Sequence, residues 1–271
     1  MRDIVDDPVA RGLRSPYLPT PLLRIVDGGY LHAVWTQLEP SVETDGFIES
    51  ARYMADMALD AVLQQYEPVS DRAELLRVGL STDELDAVAS TLDTLQLVQP
   101  QLLLVLAALA EARNASSVGG GGRPAPRAST DRERAHLRGR LLLAPPTQAP
   151  LPAIATALGA VEAPDLYRAI APWPAYLDAT WAELQHLDAL PLLRDRARGL
   201  YYYARDAARF LARPLRANRE ALAAAGVPDA ARLAAESTID EALPLTATML
   251  VHCSAMRVAL GITAPEVAGR G

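Results

Sequence analysis

Tyr30-Leu31-His32-Ala33-Val34-Trp35-Thr36-Gln37-Leu38 recurs 146 residues later as Tyr176-Leu177-Asp178-Ala179-Thr180-Trp181-Ala182-Glu183-Leu184, with five of nine positions identical. The same offset pairs Ala51-Arg52 with Ala197-Arg198 and Asp60-Ala61 with Asp206-Ala207. An offset of 147 pairs Gly79 with Gly226 and Ser90-Thr91-Leu92-Asp93 with Ser237-Thr238-Ile239-Asp240. Alanine-rich composition explains isolated alanine matches, but not two longer motifs in the same order and nearly the same register. The reading is a tandem duplication, and a repeat of this length fixes the architecture. It divides the chain into a first helical repeat over 1–112, a Gly/Pro-rich linker with a short helix over 113–150, and a second repeat over 151–271.

Within each copy the periodicity is helical. Phe47, Met54, Met57, Ala58, Ala61 and Val62 recur at three-to-four spacing after Thr44-Asp45, which can cap a helix start. Leu200, Tyr203, Ala204, Ala207, Phe210 and Leu211 do the same in the second copy. Ser81-Thr82-Asp83-Glu84 has capping-box spacing and predicts a helix to about Val98. Pro100 is expected to start a separate apolar helix over Gln101–Ala112, with a counterpart near Leu245–Leu260; a helix apolar all round is buried. Gly119 to Gly122, followed by alternating prolines, cannot continue a helix and reads as linker. Thr130-Asp131-Arg132-Glu133 predicts the short helix, running to about Leu143. The fold class is all-α: a tandem-duplicated helical bundle forming a pseudo-dimer. An apolar pocket between such halves is the expected place for chemistry.

Composition narrows that chemistry. All 26 Lys+Arg residues are arginine, which removes a P-loop lysine, a lysine Schiff base and a lysine general base. The single cysteine, Cys253, excludes an internal disulfide, a CxxC redox pair and a cysteine-rich zinc site. The CxxC point also sets aside a redox protein of the alkylhydroperoxidase type, which shares a helical repeat. A net charge of −7 gives no positive surface for nucleic acid. The acidic N-terminus does not read as a secretory signal, and the longest apolar run, Leu102–Ala110, is about half a membrane span. The expected compartment is the cytoplasm, with no membrane partner; a homodimer is compatible with the sequence.

Gly29-Tyr30-Leu31 to Trp35, the Gly-rich linker, Gly79-Leu80-Ser81-Thr82-Asp83-Glu84, Pro100 with its Leu-rich helix, and Ala169-Ile170-Ala171-Pro172-Trp173-Pro174 together resemble the DehI-type (group I) 2-haloacid dehalogenases, the halocarboxylic acid dehalogenase family. The likeness runs roughly from Leu13 to Leu260. It implies hydrolytic dehalogenation of 2-haloalkanoic acids: an aspartate activates water, which displaces halide at C2 without a covalent intermediate. The implied partner is a small-molecule carboxylate substrate, and the resemblance implies no metal and no cofactor.

The resemblance also places the site. The family aspartate lies seven residues before the tryptophan of the A-x-A-x-W-P element, which here is Leu166; Asp165 is one residue earlier and fills the role if the entering loop is shifted by one. Gln99 stands where the family has the amide of N-P-x-Y, and Leu102 where it has the tyrosine. Tyr17 and Trp173 would line the pocket. Leu166 and Leu102 at polar family positions support the alternative, a catalytically degenerate protein that binds a small carboxylate or serves as a structural module. Asp165 also reads as a helix cap, Arg24 and Arg168 as solvated helix-face residues, and Cys253 beside His252 as a buried, inert thiol. His32, His136 and His186 read as surface residues. Trp35 and Trp181, present in both copies, read as core.

Overall fold

A computed structural model describes residues 7–127 and 141–263. Among them there are twelve α-helices and no β-strand. In chain order these are α1 (Pro8–Gly12), α2 (Thr20–Leu23), α3 (Tyr30–Val42), α4 (Asp45–Gln65), α5 (Arg72–Arg77), α6 (Thr82–Ala112), α7 (Leu151–Ala157), α8 (Asp165–Ile170), α9 (Pro174–Leu184), α10 (Pro191–Ala207), α11 (Arg219–Ala224) and α12 (Asp229–Ala259). The short helix expected from Thr130 lies almost wholly outside the described residues, and Leu141–Leu143 are not helical.

Local signals account for the helix starts. The Ser81 backbone N–H donates to Glu84 Oε2 at 2.8 Å and the Glu84 N–H to Ser81 Oγ at 3.2 Å, the reciprocal pair of a capping box. Thr44 Oγ1 accepts from the Phe47 N–H at the head of α4. Asp71 and Asn218 cap α5 and α11 through the N–H groups of Glu74 and Ala221. Those two helices, and likewise α6 and α12, begin and end at an offset of 147.

Neither the helix start expected at Pro100 nor the one expected near Leu245 is present. Pro100 and Pro244 lie inside α6 and α12, each a single helix of 31 residues. A proline inside a helix costs the bond to the carbonyl four residues back, about 3 kcal/mol. Leu103, Val105, Leu106 and Leu109 of α6 are completely buried. Each contributes roughly 2 kcal/mol of burial, so packing outweighs the proline. Both helices are long and apolar enough to cross a membrane, but 89% and 78% of their apolar windows are buried inside the protein, the burial a core helix requires.

The chain divides into two compact units, each assembled from three separated stretches of the sequence. The first comprises Met1–Ala51, Pro100–Arg140 and Tyr201–Thr246. There Tyr30 is fully buried, and burial together with Glu236 pushes its hydroxyl well above the ordinary phenol range. The Gly-rich linker is a packed strap in this unit. Val118 and Leu215 exchange backbone bonds at 2.9 and 2.7 Å, and the N–H groups of Gly120 and Gly122 donate to Leu211 O. A Cβ on Gly122 would collide with the Phe210 carbonyl, and one on Gly119 would come 2.8 Å from Arg213 O. Here α10 gives way at Ala208 to a 3-10 turn. The turn rotates Phe210 off the apolar face expected for it and leaves it exposed.

The second unit comprises Arg52–Gln99, Leu141–Leu200 and Ala247–Gly271. Leu85, Val88, Leu92 and Leu95 form the buried stripe of α6 within it. Tyr176 is fully buried and its hydroxyl donates to Met256 O at 3.5 Å. The Cys253 thiol faces Leu92 O at 3.6 Å. Burial pushes that thiol up to about 12.

Candidate functional site

The second unit holds Asp165, Leu166, Trp173 and Gln99; Tyr17 and Leu102 belong to the first. Asp165 is 8% exposed and opens α8 as its first helical residue. Pro164, in an extended conformation, holds the cap position and makes no side-chain bond, so Asp165 is not the helix cap of the alternative reading. A carboxylate in the first turn is favoured by the amide dipoles pointing at it.

Arg168, one turn on, fixes the surroundings of that carboxylate. Its Nη1 lies 3.9 Å from Asp165 Oδ1 and 3.5 Å from Glu162 Oε2. Its Nε donates to Ala144 O at 2.9 Å, and Ala144 N–H returns a bond to Arg168 O at 3.0 Å. This side chain is therefore largely buried between two carboxylates, not the solvated helix-face residue expected from the sequence. Arg24, in the first unit, is also engaged, with Nη2 3.0 Å from Glu241 Oε2.

Leu166 and Tyr167 are both completely buried. The Tyr167 hydroxyl meets Nδ1 of His252 at 2.7 Å. Its ring also stands edge-on to Trp181, with centroids 5.2 Å apart. Trp173 precedes α9, half-buried, its backbone N–H bonded to Ile170 O. His32 and His186 are exposed; His136 lies outside the described residues.

Gln99 is 4% exposed, and its Oε1 is sealed from solvent with no hydrogen-bond partner among the described residues. Gln96, one turn earlier on α6, is 3% exposed and in the same state. An unmatched buried acceptor costs about 1–3 kcal/mol, so two on one helix face need a reason. In the first unit, by contrast, Gln101 Oε1 accepts from Arg127 Nη1 at 3.1 Å. Leu102 beside it is buried, as is Tyr17, whose backbone N–H and carbonyl both bond Ser15 Oγ.

Sequence reasoning passed over Gln96, the pairing of His252 with Tyr167, and Arg127. Only Gln96 carried a signal, its i, i+3 spacing from Gln99. Among the described residues no three His, Cys, Asp or Glu side chains gather closely enough to hold a metal ion.

Comparison with known proteins agrees with the resemblance read from the sequence. Residues 27–139 match the family described as halocarboxylic acid dehydrogenase DehI. No curated protein matches. Among solved structures, a D-2-haloacid dehalogenase mutant superposes with a TM-score of 0.84 at 17% identity, covering 93% of this chain and 89% of that one. A D-2-haloacid dehalogenase in complex with L-LA gives 0.81 at 19% identity, covering 93% and 90%. A mutant in complex with D-2-CPA gives 0.80 at 17%, covering 93% and 89%. At these identities the likeness establishes the fold, and the all-α architecture is the same.

Proposed function

We propose that this chain, akin to the DehI-type dehalogenases in sequence over residues 27–139 and in fold over most of its length, hydrolyses 2-haloalkanoic acids. Asp165 is the general base. It takes a proton from water, the water oxygen bonds C2 from the face opposite the halogen, and halide departs with the carbon–halogen electron pair. The products are a 2-hydroxy acid of inverted configuration, halide and a proton. No ester to the protein forms. Duplication belongs to the same reading, with the two copies as a fused pseudo-dimer; the 147-residue offset shared by α5 and α11 and by α6 and α12 supports it.

The observation that carries the proposal is Asp165 itself: a carboxylate 92% withdrawn from solvent, at a helix start, steadied by Arg168 at 3.9 Å. A carboxylate held in one orientation removes an entropic cost from the attack, and one within reach of a water molecule can take its proton. Gln99 is the second element, a buried amide oxygen able to accept the other proton of the attacking water. The test is a single turnover of 2-chloropropionate in water enriched in oxygen-18. The reading expects labelled, inverted lactate in the first turnover. Unlabelled first-turnover lactate, or none, overturns it.

Leu102 and Leu166, both buried and apolar where the family has polar groups, favour a second reading in which a small carboxylate is bound and not turned over.

A further inference from the structure

Gln96 and Gln99 lie three residues apart on α6, so their side chains leave the helix on one face. Both are more than nine-tenths buried, and both amide oxygens are without hydrogen-bond partners among the described residues. Around them on the helix, Leu92, Leu95 and Val98 offer no donor. Pro100 has no N–H to give the Gln96 backbone carbonyl four residues before it. One turn of helix thus carries two buried side-chain acceptors that are unmatched among the described residues. A buried acceptor left unmatched opposes folding, so a ligand that brings an O–H group would relieve it.

We infer that Gln96 is a second ligand-binding amide, accepting a hydrogen bond from the hydroxyl of a bound 2-hydroxy acid. This rests on the proposed reaction. There the oxygen of the attacking water becomes the 2-hydroxyl, so one acceptor position serves water before the displacement and product after it. Gln99 and Gln96 then accept side by side, and the site prefers a carboxylic acid with a hydroxyl at C2 to the same acid without one. The methionine side chain has nearly the same length as glutamine and no acceptor of comparable strength, so it removes the bond and keeps the volume.

The experiment is calorimetric titration of D-lactate, L-lactate and propionate into the wild-type protein and Gln96→Met, with thermal unfolding of both. The wild type is expected to bind the better lactate roughly two- to tenfold more tightly than propionate, the range of one neutral hydrogen bond. Gln96→Met is expected to bind lactate and propionate alike, with propionate affinity unchanged and no fall in unfolding temperature. A fall in unfolding temperature would show that the amide is engaged within the protein and would overturn the inference. So would a lactate preference that survives in Gln96→Met, a wild type with no preference, or no binding of either acid. In nitrogen-15-labelled wild type, lactate but not propionate should move the Gln96 side-chain amide resonances. Loss of chloride release with the lactate preference intact would sink the dehalogenase reading alone; chloride release with no preference would sink this inference alone.

Discussion

The Tyr167 hydroxyl and His252 Nδ1 meet at 2.7 Å, joining α8 to α12 two residues beyond Asp165. Both side chains are buried, so the bond lies where water cannot replace it. Tyr167→Phe keeps the ring against Trp181 and removes the oxygen. It should lower stability by about 1–3 kcal/mol in a denaturant titration. An unchanged midpoint would show that His252 draws nothing from the hydroxyl.

Arg257 and Asp93 form an ion pair at 3.0 Å, with the guanidinium 2% exposed. Arg113 and Asp240, whose aspartate stands 147 residues after Asp93, pair at 2.8 Å with the carboxylate more than half exposed. Removing one partner of a buried pair strands a charge; removing one at the surface does not. Asp93→Ala should therefore cost about 3–5 kcal/mol and Asp240→Ala less than about 1 kcal/mol, read from unfolding midpoints. Equal losses would contradict the burial of Arg257.

Cys253 is fully buried, and burial is the first cause of its thiol rising from 9.0 to about 12. The neutral thiol is thus favoured in the folded state. Its contribution to stability is complete below about pH 9 and is lost as pH rises toward 12. Native protein at pH 8 should resist iodoacetamide, while denatured protein should be alkylated fully. Rapid alkylation of the native protein would contradict the packing of α12 against α6 at Leu92.

Gly122 has backbone, not a flexible side chain, in the space a Cβ would take. Gly122→Ala should therefore cost about 1–3 kcal/mol, measured by thermal unfolding, as overpacking does elsewhere. A neutral substitution would mean that the strap over 118–122 does not sit against 209–215.

How much of this was legible depended on the range of the forces involved. The capping box at Ser81–Glu84 and the Thr44 cap are local, and both stand where sequence placed them. Trp35 is core as expected. Pro100 misled because local propensity argues for a break and only distant packing of the leucines argues against one. Phe210 misled because its helix turns into a 3-10 segment where the linker pairs with Leu211. Arg168 misled because its partners, Glu162 and Ala144, are ordered by a loop whose path sequence does not disclose. At the candidate site, sequence could name Asp165 and Gln99. It could not show that both are buried, nor that Gln96 shares the condition of Gln99, since burial is a property of the packed chain.

Chloride release from 2-chloropropionate by the wild type and Asp165→Asn bears most directly on the central claim. The asparagine keeps the shape of the side chain and cannot take a proton. The account predicts steady release by the wild type and a loss of at least a hundredfold in the variant, the scale of a general base. Equal release by the two proteins, or release by neither, would contradict it.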